Sequence, residues 1–263
     1  MSAARERVRG GGLRRLVAAL GLGDGAAADT VGRPGQGRFD RFDAAHAGTV
    51  LGYRKGILAG RGQAAVAEFL RGPEEWVSWT QTPYLPLVGE HQPVLDIGCG
   101  RGEFLDLLRG AGVQCSGVDS DPGMVARCRA KGHRTVAVAD AVAHLETLLD
   151  RTLGTVFSAQ VIEHLPYPSL MRLLELSTEK LRSGGLFVAE TVNPYMPQSM
   201  HGFWIDPTHQ HPLFPETLLA LCDSAGFEPA YVFCPLGSGD FERDRTEQPS
   251  YAVVATRPER TPG

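Results

Sequence analysis

Three histidines, an aspartate and three aromatics share one stretch, HGFWIDPTHQHPLFPETL, at residues 201–218. Neither strand alternation nor a helical repeat organises it before PETL. Upstream, QVIEHLP sets Glu163 and His164 side by side. Imidazole is the natural base near neutral pH and can take a proton from a hydroxyl. Two imidazoles and a carboxylate can instead hold a divalent cation, which lowers the pKa of a bound hydroxyl. Glu163, His164 and His209 are candidates for both tasks. Magnesium prefers oxygen donors, so two histidines make an unusual set for it, and the base reading is preferred. Each residue also has a structural reading. Glu163 and His164 can form a helix-start hydrogen-bond pair, and His209 can brace the loop. Asp206 either orients His209 or begins the Asp-Pro turn. His201 and His211 are weaker candidates.

A second chemical signature is LDIGCGRGEF, where a strand turns into a helix. Gly98, Gly100 and Gly102 permit a tight turn and close approach of a ligand to the backbone. The helix N-terminus beyond offers N–H groups. Asp119 follows about twenty residues later at the end of the next strand, where a carboxylate can hold ribose hydroxyls. The spacing is G-x-G-x-G, with Glu103 at a later position, and not the G-x-G-x-x-G of dinucleotide sites. A carboxylate there repels a pyrophosphate and tolerates a positive group, so the loop favours a nucleoside ligand carrying positive charge.

These residues need a scaffold. From residue 93 strand-like and helix-like segments alternate: VLDI, FLDLLRGA, VQCSGVD, PGMVARCRAKG, RTVAVAD, AVAHLETLL, GTVFSAQ, SLMRLLELSTEKL and GGLFVAETV. Such alternation implies a parallel sheet with helices on both faces. ETLLALCDSAGF follows the histidine loop. Two closing strands at 229–235 and 250–256 read as an antiparallel hairpin without an intervening helix. The crevice at the ends of the parallel strands brings Glu163–His164 and the 201–218 loop together.

Residues 1–45 are rich in Gly, Ala and Arg and read as a flexible basic arm. LVAALGLG within it is too short and glycine-broken for a signal peptide. Residues 46–90 read as a helical cap, 91–257 as the main domain and 258–263 as a tail. The 263 residues carry a net charge of −4, which disfavours nucleic acid as a partner. Five cysteines without a CxxC pair read as reduced thiols, and no apolar run is long enough for a transmembrane segment. A cytoplasmic location is the expectation.

VLDIGCGRGEFLDLL, GVDSDPGMV, VAVADAVAHL, FSAQVIEHL and LRSGGLFVAETVNP resemble the successive motifs of class I S-adenosylmethionine-dependent methyltransferases, over about residues 92 to 256. The resemblance implies an α/β, Rossmann-like sheet of order 3-2-1-4-5-7-6 with strand 7 antiparallel. It also implies roles. Asp96, Gly98, Cys99 and Gly100 would flank the methionine part of the cofactor, and Asp119 the ribose, with Ser120 and Met124 beside it. Asp140 and Ala141 would meet the adenine, and Gln160 would lie near the sulfonium. Asp140 is also a natural N-cap, Met124 a natural core residue, and Asp96 a residue that can simply fix the loop.

QVIEHLP, TVNP and FWIDPTHQHPLFPETL, with the lead-in FLRGPEEWVSWTQTPYLPL, are similar to a narrower bacterial group associated with polysaccharide, O-antigen and glycoside biosynthesis. His211 stands where that group commonly has arginine. By this resemblance Arg71, Gln81 and Tyr84 are candidates to reach the cofactor carboxylate or close over it, though Tyr84 equally suits helix packing. Gln160, Glu163, His164 and His209 resemble the metal arrangement of some magnesium-dependent relatives, in which the position of Gln160 is usually glutamate. The implied activity is O-methylation of a sugar hydroxyl by in-line displacement, with His164 or His209 as base and Glu163 in support. Phe203 and Trp204 would stack on the sugar or plug the core edge. The alternatives are a phenol or carboxylate acceptor, or a scaffold that binds cofactor without chemistry. The expected partners are a small-molecule or oligosaccharide acceptor and, as a candidate, a second copy of the chain in a homodimer.

Overall fold

Val94–Ile97 is buried residue by residue, as a strand covered on both faces must be. It is the first strand of a seven-stranded sheet in the computed structural model, which describes residues 39–41, 51–53 and 63–259. The flexible-arm reading of 1–45 lies outside the described residues except for Phe39–Arg41, and so does the tail beyond 259. Contacts divide the chain between Gly72 and Pro73. The first unit holds β1 (Phe39–Arg41) paired antiparallel with β2 (Leu51–Tyr53), and α1 (Gln63–Arg71). The expected cap of 46–90 therefore divides. Its last part belongs with the sheet, because Tyr84 and Val88 are fully buried against Phe104 and Leu108.

The second unit opens with α2 (Glu74–Gln81), a 3-10 turn (Thr82–Tyr84) and α3 (Leu85–Val88). Then come β3 (Val94–Ile97), α4 (Glu103–Gly110), β4 (Cys115–Asp119), α5 (Pro122–Ala130), β5 (Val136–Val138) and α6 (Ala141–Thr147). β6 (Leu153–Ala159) leads through a 3-10 turn (Ile162–His164) to α7 (Tyr167–Lys180) and β7 (Leu181–Val192). α8 (Pro197–Phe203), α9 (Pro215–Ser224), β8 (Ala230–Phe233), α10 (Phe241–Glu247) and β9 (Ser250–Thr256) complete the unit.

The sheet order is β5-β4-β3-β6-β7-β9-β8. Counted from β3 this is the expected 3-2-1-4-5-7-6. β3 to β7 pair in parallel, and β9 runs antiparallel to both neighbours. Alternate residues feed opposite core layers, as the pleat requires. Leu95, Val156, Phe187 and Val253 point into one cluster; Val94, Phe157, Val188 and Val254 point into the other.

The closing hairpin pairs as expected, but α10 lies between its strands. The helix hides from a search for apolar periodicity because FERDRTE is mostly charged. Polar contacts hold it: Asp240 caps its N-terminus by accepting from the Arg243 N–H, and Arg243 and Arg245 pair with Glu247 and Glu242.

Candidate active site

The glycine loop follows β3. Gly98, Gly100 and Gly102 have φ of +68°, +55° and +84°, where a Cβ is strained. Gly98 also has no room, since a Cβ there would lie 2.3 Å from Val161 Cγ2. The turn after β6 is thus pressed against the loop. The buried Asp119 braces the same loop, its carboxylate accepting from Gly100 N–H at 2.9 Å and Asp121 N–H at 2.8 Å. Asp119 serves loop geometry at the very strand end where a ribose would sit.

The other cofactor-binding candidates are spread over several elements. Asp96 is buried in β3, and Cys99 packs with Leu105, Val125 and Cys128. Met124 is buried in α5, Ser120 is exposed and Ala141 is half-buried. Asp140 is an N-cap, accepting from Val142 and Ala143 N–H. Arg71 ends α1 in the first unit. Tyr84 does not close over the crevice. It is fully enclosed, edge-on to Phe104, Phe157 and Phe233, and its hydroxyl is spent on Glu190 at 2.5 Å.

Glu103 carries no unbalanced charge toward a ligand. It is buried, and its carboxylate takes both Nε and Nη2 of the buried Arg101 at 2.6 Å. The isolated carboxylate expected in the loop is therefore a paired one.

The reactive face joins two segments distant in sequence. Gln210 N–H donates to the Glu163 carbonyl at 2.8 Å, fastening the 204–214 loop to the 3-10 turn after β6. The His164 and His209 rings then lie 4.5 Å apart. His209 Nδ1 meets the Phe203 carbonyl at 2.8 Å. A carbonyl only accepts, so Nδ1 carries the proton and Nε2 is the acceptor nitrogen of the neutral ring.

Asp206 shapes the partner histidine. Burial alone raises its pKa, but hydrogen bonds from the Thr208 hydroxyl and amide, aided by His209 and His164, hold it below the usual carboxylate range. The ionised Asp206 accepts from Thr208 Oγ1 at 2.5 Å. Thr208 Oγ1 therefore accepts from His164 Nδ1 at 2.9 Å, which again makes Nε2 the acceptor nitrogen. Asp206 orients His164 through Thr208, and it also begins the Asp-Pro turn by accepting from Thr208 N–H at 2.8 Å, the second of the two roles the sequence left open.

Glu163 is 1% exposed, and burial pushes its pKa up to about 8. Its own backbone N–H and then Thr191 relieve this only in part, and neither carboxylate oxygen has a partner at full hydrogen-bonding geometry. Ligand atoms of Glu163, His164 and His209 all lie within 4.8 Å of one another. Phe203 is the plug, 1% exposed and packed on the His209 ring, whereas Trp204 is 66% exposed. Asn193 of the TVNP motif is structural, donating to the carbonyls of Arg245 and Gln248.

Two polar residues of the site have no sequence signature. Thr208 reads as a turn residue. Glu190 reads as a strand residue, yet it is buried and receives both Tyr84 and Gln160.

Among the described residues no helix is long and apolar enough to cross a membrane. The pattern of a family described as "Methyltransferase domain" matches residues 68–232. Over 135 residues the chain is 32% identical to a "Probable S-adenosylmethionine-dependent methyltransferase" of Mycolicibacterium smegmatis, covering 51% of each chain. It is 27% identical to a ubiquinone biosynthesis O-methyltransferase of Idiomarina loihiensis, covering 63% of this chain and 75% of that one. It is similar to the crystal structure of a SAM-dependent methyltransferase from Archaeoglobus fulgidus, with 31% identity and a TM-score of 0.65. That match covers 73% of this chain and 97% of the other. The chain spans about half the length of the mycobacterial relatives it matches.

Proposed function

The chain belongs to the methyltransferase-domain family, among its S-adenosylmethionine-dependent members, and from that premise we propose that it methylates a sugar hydroxyl of a glycan, glycolipid or glycosylated natural product. Bound on the glycine loop, the cofactor supplies an electrophilic methyl group on a sulfonium. The chain must align an acceptor oxygen with it and remove the hydroxyl proton. The observation that carries this reading is the His164–Thr208–Asp206 relay beside His209. It gives His164 a fixed tautomer whose Nε2 accepts the proton, while Asp206 balances the imidazolium formed. An oxygen acceptor also accords with the relative named as an O-methyltransferase. A sugar accords with the exposed Trp204 next to the loop, whose flat face suits the apolar face of a pyranose.

One observation favours a second reading, in which Glu163, His164 and His209 hold a divalent cation. No partner of the buried Glu163 carboxylate reaches full hydrogen-bonding geometry, and a cation would supply one. Two imidazoles suit a borderline transition ion better than magnesium.

The test is turnover on a panel of sugar, phenol and carboxylate acceptors. His164→Ala and His209→Ala are expected to keep cofactor binding, and loss of the base to lower turnover by roughly 100-fold or more. Wild-type rates in both variants refute the base, and turnover confined to phenols or carboxylates refutes the sugar. Undiminished rates after chelation and full metal removal refute the cation.

A further inference from the structure

Cys99 sits inside the glycine loop and Cys128 on α5, and both pack with Leu105, Val125 and Val136 in a small core under that loop. Cys128 is fully buried and Cys99 is 5% exposed. Glycines clear the space for both sulfurs. A Cβ on Gly117 would lie 2.9 Å from Cys99 Sγ, and one on Gly102 would lie 3.0 Å from Cys128 Sγ. The two thiols are in hydrogen-bonding contact, with Cys99 S–H donating to Cys128 Sγ. Cys128 S–H in turn donates to the Gly100 carbonyl at 3.2 Å.

Gly100 is thereby held at both ends, since its N–H donates to the Asp119 carboxylate at 2.9 Å. Packing alone asks only for small apolar groups at these positions, and alanine would serve. Two touching sulfurs can do what alanines cannot, which is to exchange two S–H bonds for one S–S bond. The bond from Cys99 outweighs burial and holds the Cys128 pKa below the usual thiol range. Cys128 is therefore the better nucleophile of the two.

We infer that Cys99 and Cys128 are a redox-modification site, which a peroxide closes into a disulfide that releases the Gly100 carbonyl and loosens the glycine loop. Peroxide is scarcely larger than water, and it reaches the pair past Cys99, because Cys128 is closed off. The Cys128 sulfur attacks one peroxide oxygen, the O–O bond breaks, and the other oxygen leaves as water with the thiol proton. The Cys99 sulfur then attacks the sulfenic acid so formed, whose hydroxyl leaves as a second water with the Cys99 proton. The peroxide is reduced and the two thiols are oxidised. A disulfide sulfur has no proton to donate, so Gly100 keeps Asp119 and loses Cys128. The disulfide follows from the two sulfurs alone. Its effect on binding rests on the placement of the cofactor on the glycine loop.

The test treats the reduced full chain with hydrogen peroxide and maps the product by mass spectrometry. Cleavage after arginine puts Cys99, Cys115 and Cys128 on separate peptides. A Cys99–Cys128 link is expected, lighter by two hydrogens and reversed by dithiothreitol. Calorimetric titration of the oxidised chain is expected to show S-adenosylmethionine binding about tenfold weaker, restored by dithiothreitol. Cys128→Ser keeps a donor for Gly100 and cannot form the bridge, so peroxide is expected to leave its affinity where it was. A product without a Cys99–Cys128 link overturns the inference, whether or not that variant folds. So does a bridge that leaves affinity unchanged, or an equal response to peroxide in Cys128→Ser. A reduced chain that binds no S-adenosylmethionine overturns the cofactor placement and the loop effect with it, and the mass map still decides the bridge.

Discussion

Thr208 decides which nitrogen of His164 carries the proton. Thr208→Val keeps the shape and deletes the oxygen that links Asp206 to His164. Turnover is expected to fall about 10- to 100-fold, less than for His164→Ala, with cofactor affinity unchanged in a binding titration. Gly98 is the opposite case, where any side chain is too many. Gly98→Ala meets Val161 in a left-handed backbone and is expected to weaken cofactor binding by about 1–3 kcal/mol, read by calorimetry. The glycine was legible because spacing advertises backbone geometry. The histidines were legible because their chemistry is rare. Thr208 and Glu190 were not, because a threonine in a turn and a glutamate in a strand are ordinary until their partners are known. Tyr84 stayed open between two roles for the same reason: an aromatic in an amphipathic lead-in does not declare whether it faces ligand or core, and its burial decides for the core.

Elements carry these residues, and their polar joints are testable too. Asp244 in α10 receives Ser238 N–H, Ser238 Oγ–H and Gly239 N–H, tying the β8–β9 connection together. Burial opposes its charge, but these bonds prevail and hold its pKa below the usual carboxylate range. A depressed folded pKa means that the unfolded chain takes up the proton first. The stabilisation is present above the unfolded pKa of about 3.9 and is lost as pH falls through the lower folded value. Asp244→Ala is expected to cost about 2–3 kcal/mol at neutral pH and to flatten the acid limb of a denaturation series. The alternation of strands and helices exposed most elements to sequence reading, because the parallel strands are short and rich in apolar residues and the helices between them carry apolar stripes. α10 escaped it because nearly all of its residues face solvent and its stability is polar.

At the scale of the molecule, the second unit owes part of its core to residues that precede the sheet. Tyr84 and Val88 fill the cluster of Phe104, Phe157 and Val254. A chain starting at Pro73 is expected to unfold in one cooperative transition. One starting at His91 loses both side chains, and its melting midpoint should fall by about 10 °C or more, measured by calorimetry. The sheet order was readable from the motifs, whereas the division at Gly72 depends on contacts that no local pattern reveals. The last strand of the sheet, β9, does not close an edge. It slots between β7 and β8, and Ala252 to Ala255 are fully buried. Synthesis runs from the N-terminus, so β3 to β7 can pair as they leave the ribosome while β8 has no neighbour to join. A message cut short before residue 250 yields a product with a bare sheet margin and a stray strand, a target for proteolysis and aggregation. The sheet is therefore completed only when translation has passed its final strand.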